Sequence, residues 1–151
     1  MPSHSGFEWS VPADVESLAW DPHAEHSFVV SLDKGMVKGI DVCAIQSDST
    51  SQSTVFTLHA HDKACTSVSY NLSAANLLAT ASMEQTVKLW DLSNQQPSHV
   101  ASYDPKTGPV FSISFSKDDP FLLAIGGYDG KLKVWNTLLD AGVSRMVKGD
   151  K

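Results

Sequence analysis

Apolar and polar residues alternate with a period of two through several stretches of the chain, and the alternating stretches recur. Thr66, Val68 and Tyr70 fall on one side of an extended segment, with Ser67 and Ser69 on the other. Phe111, Ile113 and Phe115 alternate in the same way against Ser112 and Ser114. A period of two predicts strands. A second kind of segment is a short apolar run: Phe28-Val29-Val30, Leu77-Leu78-Ala79 and Phe121-Leu122-Leu123-Ala124-Ile125. Runs apolar on both sides predict strands covered on both faces. A third strand follows at Val37–Val42, Thr86–Trp90 and Lys131–Trp135, after tight turns at Asp33-Lys34-Gly35, Met83-Glu84-Gln85 and Tyr128-Asp129-Gly130. Two of these turns hold the Gly that a positive φ favours. Weaker strands precede each group, at Phe7–Ser10, Thr54–Leu58 and Ser98–Tyr103. Helical periodicity is not convincing anywhere; the stretches after Asp91 and at Leu138-Leu139-Asp140 are too short.

The recurrence is a repeat in register. Val15–Asp41 overlays Cys65–Asp91 at an offset of 50 with no gap, and Cys65–Asp91 overlays Val110–Asn136 at an offset of 45. Identities are few, five and seven of 27, but the chemical pattern persists. Trp90 falls on Trp135, Leu77-Leu78-Ala79 on Leu122-Leu123-Ala124, and Ser67-x-Ser69 on Ser112-x-Ser114. Trp20, Tyr70 and Phe115 share one position.

A thin sheet apolar on both faces gains nothing from burial while water flanks it, so such units must stack. Small residues (Ser67, Ser69, Ala79, Ala81, Ala124, Gly126) let neighbours approach, and bulky ones (Tyr70, Leu78, Phe115, Leu123) fill wider space. That gradient of size predicts sheets fanned about an axis: an all-β fold, a β-propeller fragment of about three four-stranded antiparallel blades. The units span 7–53, 54–96 and 97–140, with a flexible basic tail at 141–151. Ser47–Thr54 reads as a solvated loop. Propellers close with about 4 to 8 blades, so three leave apolar end faces open. The expected remedy is membership of a larger closed propeller, with the missing blades supplied by a longer chain, by self-association or by a partner.

Composition narrows the function. The net charge of −6 disfavours bulk attraction to nucleic acid or an anionic membrane, and direct nucleic-acid binding is not expected. The charge is uneven: residues 1–62 hold nine acids and two bases, residues 63–151 eight acids and nine bases. Cys43 and Cys65 have no zinc-type spacing and read as free thiols. Met1–Gly6 lacks the basic and apolar regions of a secretory signal, so an intracellular protein is expected. There is no G-x-S-x-G, H-E-x-x-H or Walker loop. Gly126-Gly127-Tyr128-Asp129-Gly130 precedes a strand, whereas a phosphate cradle needs a helix N-terminus. His59-x-His61 lacks a third metal ligand, Asp118-Asp119 reads as a solvated turn, and the sequon Asn71-Leu72-Ser73 as an ordinary loop. Neither a cofactor nor a metal is expected, and the chain is read as non-enzymatic. A propeller-based hydrolase or lyase would need convergent acids or a metal in the central channel, and inward polar positions are few.

Ala60-His61, the Leu77–Ser82 strand and Thr86-Val87-Lys88-Leu89-Trp90-Asp91 resemble a WD repeat, whose marks are Gly-His near the start and Trp-Asp at the end. The resemblance covers about residues 7 to 136 and is close only in the middle unit. The others end in Ile40-Asp41 and Trp135-Asn136. It implies a structural hydrogen-bond chain of loop His, strand Ser or Thr, turn acid and Trp. The matching residues are His61, Thr80 or Ser82, Glu84 and Trp90, with Asp129 and Trp135 retained in the third unit. Glu84 stands where Asp is usual, and its extra methylene is expected to strain the chain or call for a bridging water. Loop pinning is therefore expected to be partial in the second unit and absent or rearranged elsewhere. The resemblance also gathers Lys34, His59, Asp62, Lys63, Met83, Lys106 and Tyr128 on one rim as a possible binding surface.

Thr57-Leu58-His59-Ala60-His61-Asp62, Ala79-Thr80-Ala81-Ser82, the Trp20-containing strand and the degenerate first unit resemble the C-terminal blades of the periodic tryptophan protein 1 family. That resemblance implies a nuclear and nucleolar protein-interaction scaffold in ribosome biogenesis and rRNA processing, with pre-ribosomal or chromatin components as partners. The alternatives are a propeller that binds histone tails and a ubiquitin-ligase substrate receptor. The latter often carries Trp-Asp-x-Arg, whereas Leu92-Ser93 follows Trp90-Asp91 here.

Overall fold

Three antiparallel sheets carry the repeat. The computed structural model describes residues 10–45, 54–94 and 96–147. The first sheet holds β1 (Val15–Trp20), β2 (Ser27–Leu32), β3 (Met36–Asp41) and β4 (Thr54–His59), in that order. The second holds β5 (Cys65–Tyr70), β6 (Leu77–Ser82), β7 (Val87–Asp91) and β8 (Ser98–Tyr103). The third has three strands, β9 (Val110–Phe115), β10 (Leu122–Gly127) and β11 (Leu132–Asn136). A short helix, α1 (Val42–Ile45), follows β3. Phe7–Trp9 of the first expected strand, and Ser47–Ser53 of the polar loop, lie outside the described residues.

Sheet and sequence repeat are offset by one strand. Thr54–His59 precedes the second unit in sequence but pairs with β3, through Met36 opposite His59 and Val37 opposite Leu58. Ser98–Tyr103 likewise pairs with β7.

The innermost strands β1, β5 and β9 lie side by side and bring the sheets face to face. Alternation then divides the middle sheet between two cores. Leu77, Ala79, Ala81, Val87 and Leu89 pack with Ile113, Phe115, Leu123 and Ile125 of the third sheet. Val68, Tyr70, Leu78 and Trp90 pack with Val29, Val37 and Leu58 of the first. All six residues of β6 are buried, as a strand between two neighbours must be.

Each inner strand shifts register near its start, at Val15/Ser17, at Cys65/Ser67 and where Val110 pairs with Gly127. The shift corrects one expectation. Phe111 does not share the buried side of Ile113 and Phe115; it is exposed, and Val110 takes the buried place. An extra residue at a bulge turns the following side chain to the other face.

The tail departs further from expectation. Ala141–Val147 is a helix, α2, rather than a flexible segment, and its Val143 is wholly buried in the core between the second and third sheets. Asp140 accepts from the Gly142 and Val143 N–H groups and starts the helix. Residues 148–151 lie outside the described set.

The faces at either end differ from the interior in exposure alone. Leu18, Val68 and Ile113 are equivalent, and are 56%, 6% and 6% exposed. Trp20, Tyr70 and Phe115 are 59%, 8% and 7% exposed. At the other end Val37, Val87 and Leu132 are 0%, 0% and 84% exposed. Leu78→Ala and Leu123→Ala should therefore each lower stability by about 2–5 kcal/mol. Leu132→Ala should stay within about 0.5 kcal/mol. Urea denaturation of the three variants checks this; equal losses at all three positions would contradict the stacked arrangement.

Candidate functional site

The loop between β4 and β5 is where the middle unit concentrates its polar chemistry. Ala60 N and His61 N both donate to the Gly35 carbonyl at the β2–β3 turn, at 3.0 and 3.1 Å. Gly35 has φ +87°, and a Cβ there would overlap the His61 carbonyl. Glycine therefore lets the first sheet's turn press against the second sheet's loop.

His61 is buried, and both its ring nitrogens are engaged. Nε2 lies 2.8 Å from Thr80 Oγ1, and Nδ1 lies 2.5 Å from Glu84 Oε2. Trp90 Nε1 donates to Thr80 Oγ1 at 3.0 Å. Burial disfavours the charged ring, and the Glu84 carboxylate only accepts, so Nδ1 carries the single ring hydrogen and Nε2 is the acceptor. Thr80 accepts from Trp90 and donates its hydroxyl hydrogen to His61 Nε2, and Nδ1–H donates to Glu84. The imidazole in this path is neutral. Glu84 Oε1 also accepts from Asp62 N at 3.3 Å, which returns the path to the loop.

The longer Glu side chain thus reaches His61 directly; neither strain nor a bridging water is needed. The path runs unbroken from Trp90 on β7 to the loop, where partial pinning was expected. Ser82 is not in the path. Its hydroxyl donates to the Ala64 carbonyl at 2.9 Å and accepts from Glu84 N at 3.1 Å, a second tie on the same loop. Lys88 Nζ adds a third, to the Ala60 carbonyl at 3.0 Å.

The other units replace this path. In the third, Ile125 occupies the Thr80 position and Lys106 the His61 position. Asp129 is exposed at φ +61°, and Trp135 stacks on Tyr103 with centroids 4.6 Å apart. In the first, Val30 and Ile40 replace Thr80 and Trp90. One backbone tie persists throughout: Asp33 N to Asp14 O, Met83 N to Ala64 O and Tyr128 N to Thr107 O.

Antiparallel pairing brings the expected rim residues to one end of the sheets, because the β2–β3, β4–β5, β6–β7, β8–β9 and β10–β11 connections all turn there. Lys34, His59, Asp62, Lys63, Lys106 and Tyr128 are exposed, and Met83 is half-buried. His59 and Asp62 approach within 3.5 Å, and Lys106 lies 3.7 Å from Asp104. No group of three His, Cys, Asp or Glu among the described residues is placed to hold a metal. His61 has no nitrogen free to join His59 in one.

The bonds of three polar side chains escaped the sequence reading. Asn71 is completely buried: Nδ2 donates to the Pro120 carbonyl at 2.8 Å, and Oδ1 accepts from Ser73 N and Ala74 N. It ties the loop after β5 to the third sheet. An Asn able to bend its own backbone was the available signal. Ser67 and Ser69 were read only as small; their hydroxyls accept from Ile113 N at 3.2 Å and Phe115 N at 3.1 Å.

Removing the hub of the loop should cost more than a surface change. His61→Ala leaves Thr80 and Glu84 short of a partner and should lower stability by about 1–3 kcal/mol. An unchanged urea midpoint would refute the buried path. The same site sets a pH dependence. Burial holds His61 below its ordinary value of 6.5, against the Glu84 hydrogen bond and charge. Burial alone would raise Glu84, but the His61 and Asp62 hydrogen bonds and the Lys88 charge hold it below 4.5. In both groups the unfolded chain takes up its proton first as pH falls. Stability should be full above pH 6.5 and decline below it, with Glu84 adding to the loss below 4.5. In His61→Ala the decline beginning near 6.5 should shrink, which thermal unfolding across pH would show.

The family model described as "WD domain, G-beta repeat" matches residues 52–91 and 97–136. An uncharacterized WD repeat-containing protein of Schizosaccharomyces pombe is 36% identical over 139 residues, covering 91% of this chain and 26% of that protein. Periodic tryptophan protein 1 of Saccharomyces cerevisiae is 29% identical over 151 residues, 94% of this chain and 26% of its own length. The Drosophila melanogaster homolog is 27% identical, over 82% of this chain and 26% of its own length. The chain therefore spans about a quarter of the length of the curated relatives it matches. Offset repeats, two-sided sheets and the His–Thr–Trp path agree with the matched spans, and the chain belongs to the WD-repeat family.

Proposed function

We propose that the chain is a non-enzymatic protein-interaction scaffold that binds its partner through the rim of loops at one end of the sheets. The observation that carries this reading is the rim itself. Four connections carry Lys34, Lys63, Lys106 and Tyr128 into solvent at one end, while His61, Ser82 and Lys88 tie the loop between β4 and β5 to the sheet beneath. Exposed aromatic and basic side chains on fixed supports suit a protein surface, since little order is lost when the partner docks. The kinship with periodic tryptophan protein 1 supports a setting in ribosome biogenesis, in the nucleus and nucleolus, with pre-ribosomal proteins as partners. No helix among the described residues is long and apolar enough to cross a membrane.

Co-sedimentation with purified precursor ribosomal particles tests the reading. The chain should travel with the particles, and Lys63→Glu combined with Tyr128→Ala should weaken this by about tenfold or more. Circular dichroism should stay unchanged, because both residues are exposed. Equal sedimentation of variant and parent, or none by the parent, would refute it.

A further inference from the structure

A small cavity lies between the first and second sheets at the end opposite the rim, where β1 and β5 finish and β2 and β6 begin. It holds about 170 Å³, and Asp21, Gly39, Phe56, Tyr70 and Leu92 are among its walls. A cavity of about 150 Å³ takes a benzene ring, so one side chain fits. Gly39 and Phe56 stand opposite each other on β3 and β4, where the second sheet pairs Leu89 with Ala101. A Cβ at Gly39 would overlap the Phe56 ring, so glycine lets the aromatic ring lie against bare backbone at the cavity wall.

Two polar groups on this wall are short of partners. Tyr70 is 8% exposed, and its hydroxyl makes no hydrogen bond among the described residues. A buried phenol ordinarily finds one. Burial first, and then the charge of Asp21, hold this phenol above its ordinary value of 10. Asp21 is the counterpart of Asn71 in the repeat. Their Oδ1 atoms behave alike: Asn71 accepts from Ser73 N, and Asp21 accepts from His23 N at 2.8 Å. Their other atoms differ. Asn71 Nδ2 donates to the Pro120 carbonyl of the neighbouring unit, whereas Asp21 has an oxygen there, which only accepts. That oxygen, Oδ2, has no partner among the described residues. The cavity thus presents two acceptors, one of them charged, with no donor from the chain itself.

The charge around the cavity favours a cation. At this end the first two sheets carry Asp21, Glu25, Asp41 and Asp91, and neither Lys nor Arg among the described residues. We infer that the cavity receives an arginine side chain of a partner protein. The stem lies along Leu92 and Phe56, and the guanidinium donates to Asp21 Oδ2 and the Tyr70 hydroxyl oxygen. Guanidinium is planar, weakly hydrated and attracted to aromatic faces. It suits a half-enclosed aromatic site better than the compact, strongly hydrated ammonium of lysine. This site lies at the other end of the sheets from the rim and stands independently of docking there.

Titration of the 151-residue chain with Nα-acetyl-arginine amide, followed by backbone amide NMR shifts, gives the test. The signals of Gly39, Phe56, Tyr70 and Leu92 should move together, with a Kd on the order of 1 mM for so small a probe. Nα-acetyl-citrulline amide keeps the shape without the charge and should bind about tenfold more weakly. Nα-acetyl-lysine amide should bind about threefold more weakly. Asp21→Asn and Tyr70→Phe give these positions the residue types that Asn71 and Phe115 supply in other units, so both variants should fold. They should weaken the arginine probe by about tenfold and about threefold. Tyr70→Phe should also keep or raise the urea midpoint, because the hydroxyl it removes is buried without a partner. A lowered midpoint would overturn the proposal. So would absent shifts, shifts centred on Lys63 and Tyr128 of the rim, equal binding of the citrulline or lysine probe, or indifference to both substitutions.

Discussion

A sheet one residue thick, apolar on both sides, stays folded only where something dry lies against each side. The packing of this molecule follows from that requirement. The middle sheet meets it twice, and its β6 is buried from Leu77 to Ser82. The outer sheets meet it once, so the same repeat position is closed in one unit and open in another. Position along the stack, not residue type, decides whether Leu or Trp sees water. Hydrophobic burial is blind to direction, which leaves register to polar groups. The Ser67 and Ser69 hydroxyls supply it here by fixing β9 against β5.

The polar path through His61 answers a different need. Loops at the end of a sheet have few apolar contacts to hold them, Ala60 in this one, and a loop anchored only by backbone bonds would open readily. Trp90, Thr80, His61 and Glu84 connect the third strand of the sheet to the loop through donors and acceptors that are all used. A fully used buried network is rigid because each group lacks an alternative partner. The first and third units manage with backbone ties and apolar packing, so among the described residues only the middle connection is held by such a path. A scaffold benefits, since side chains presented at the rim then sit on a fixed base.

Much of this was legible in the residues. Period-two alternation located the strands, and sliding the chain along itself located the repeat, because covered strands cannot vary in apolar character. His61, Trp90 and one of Thr80 and Ser82 could be named from the resemblance to a WD repeat, and the hydrogen bonds select Thr80. What could not be read depended on contacts far apart in sequence. Phe111 looked like a core residue until the bulge at Val110 reversed its side. Ala141–Val147 is too short for its period to show, although Val143 and Met146, three residues apart, both pack on the core. Ser67 and Ser69 showed their size but not their bonds, since the partners are backbone groups 46 residues away.

The burial of Asn71 bears on when this chain can be chemically altered. Its amide is turned inward, with nitrogen and oxygen both occupied, in the gap that joins the second sheet to Pro120. A sugar-transferring enzyme therefore meets no acceptor on the finished fold, although the tripeptide spells one. Attachment would have to come while the polypeptide is still nascent, and a glycan at that point would wedge the second and third sheets apart.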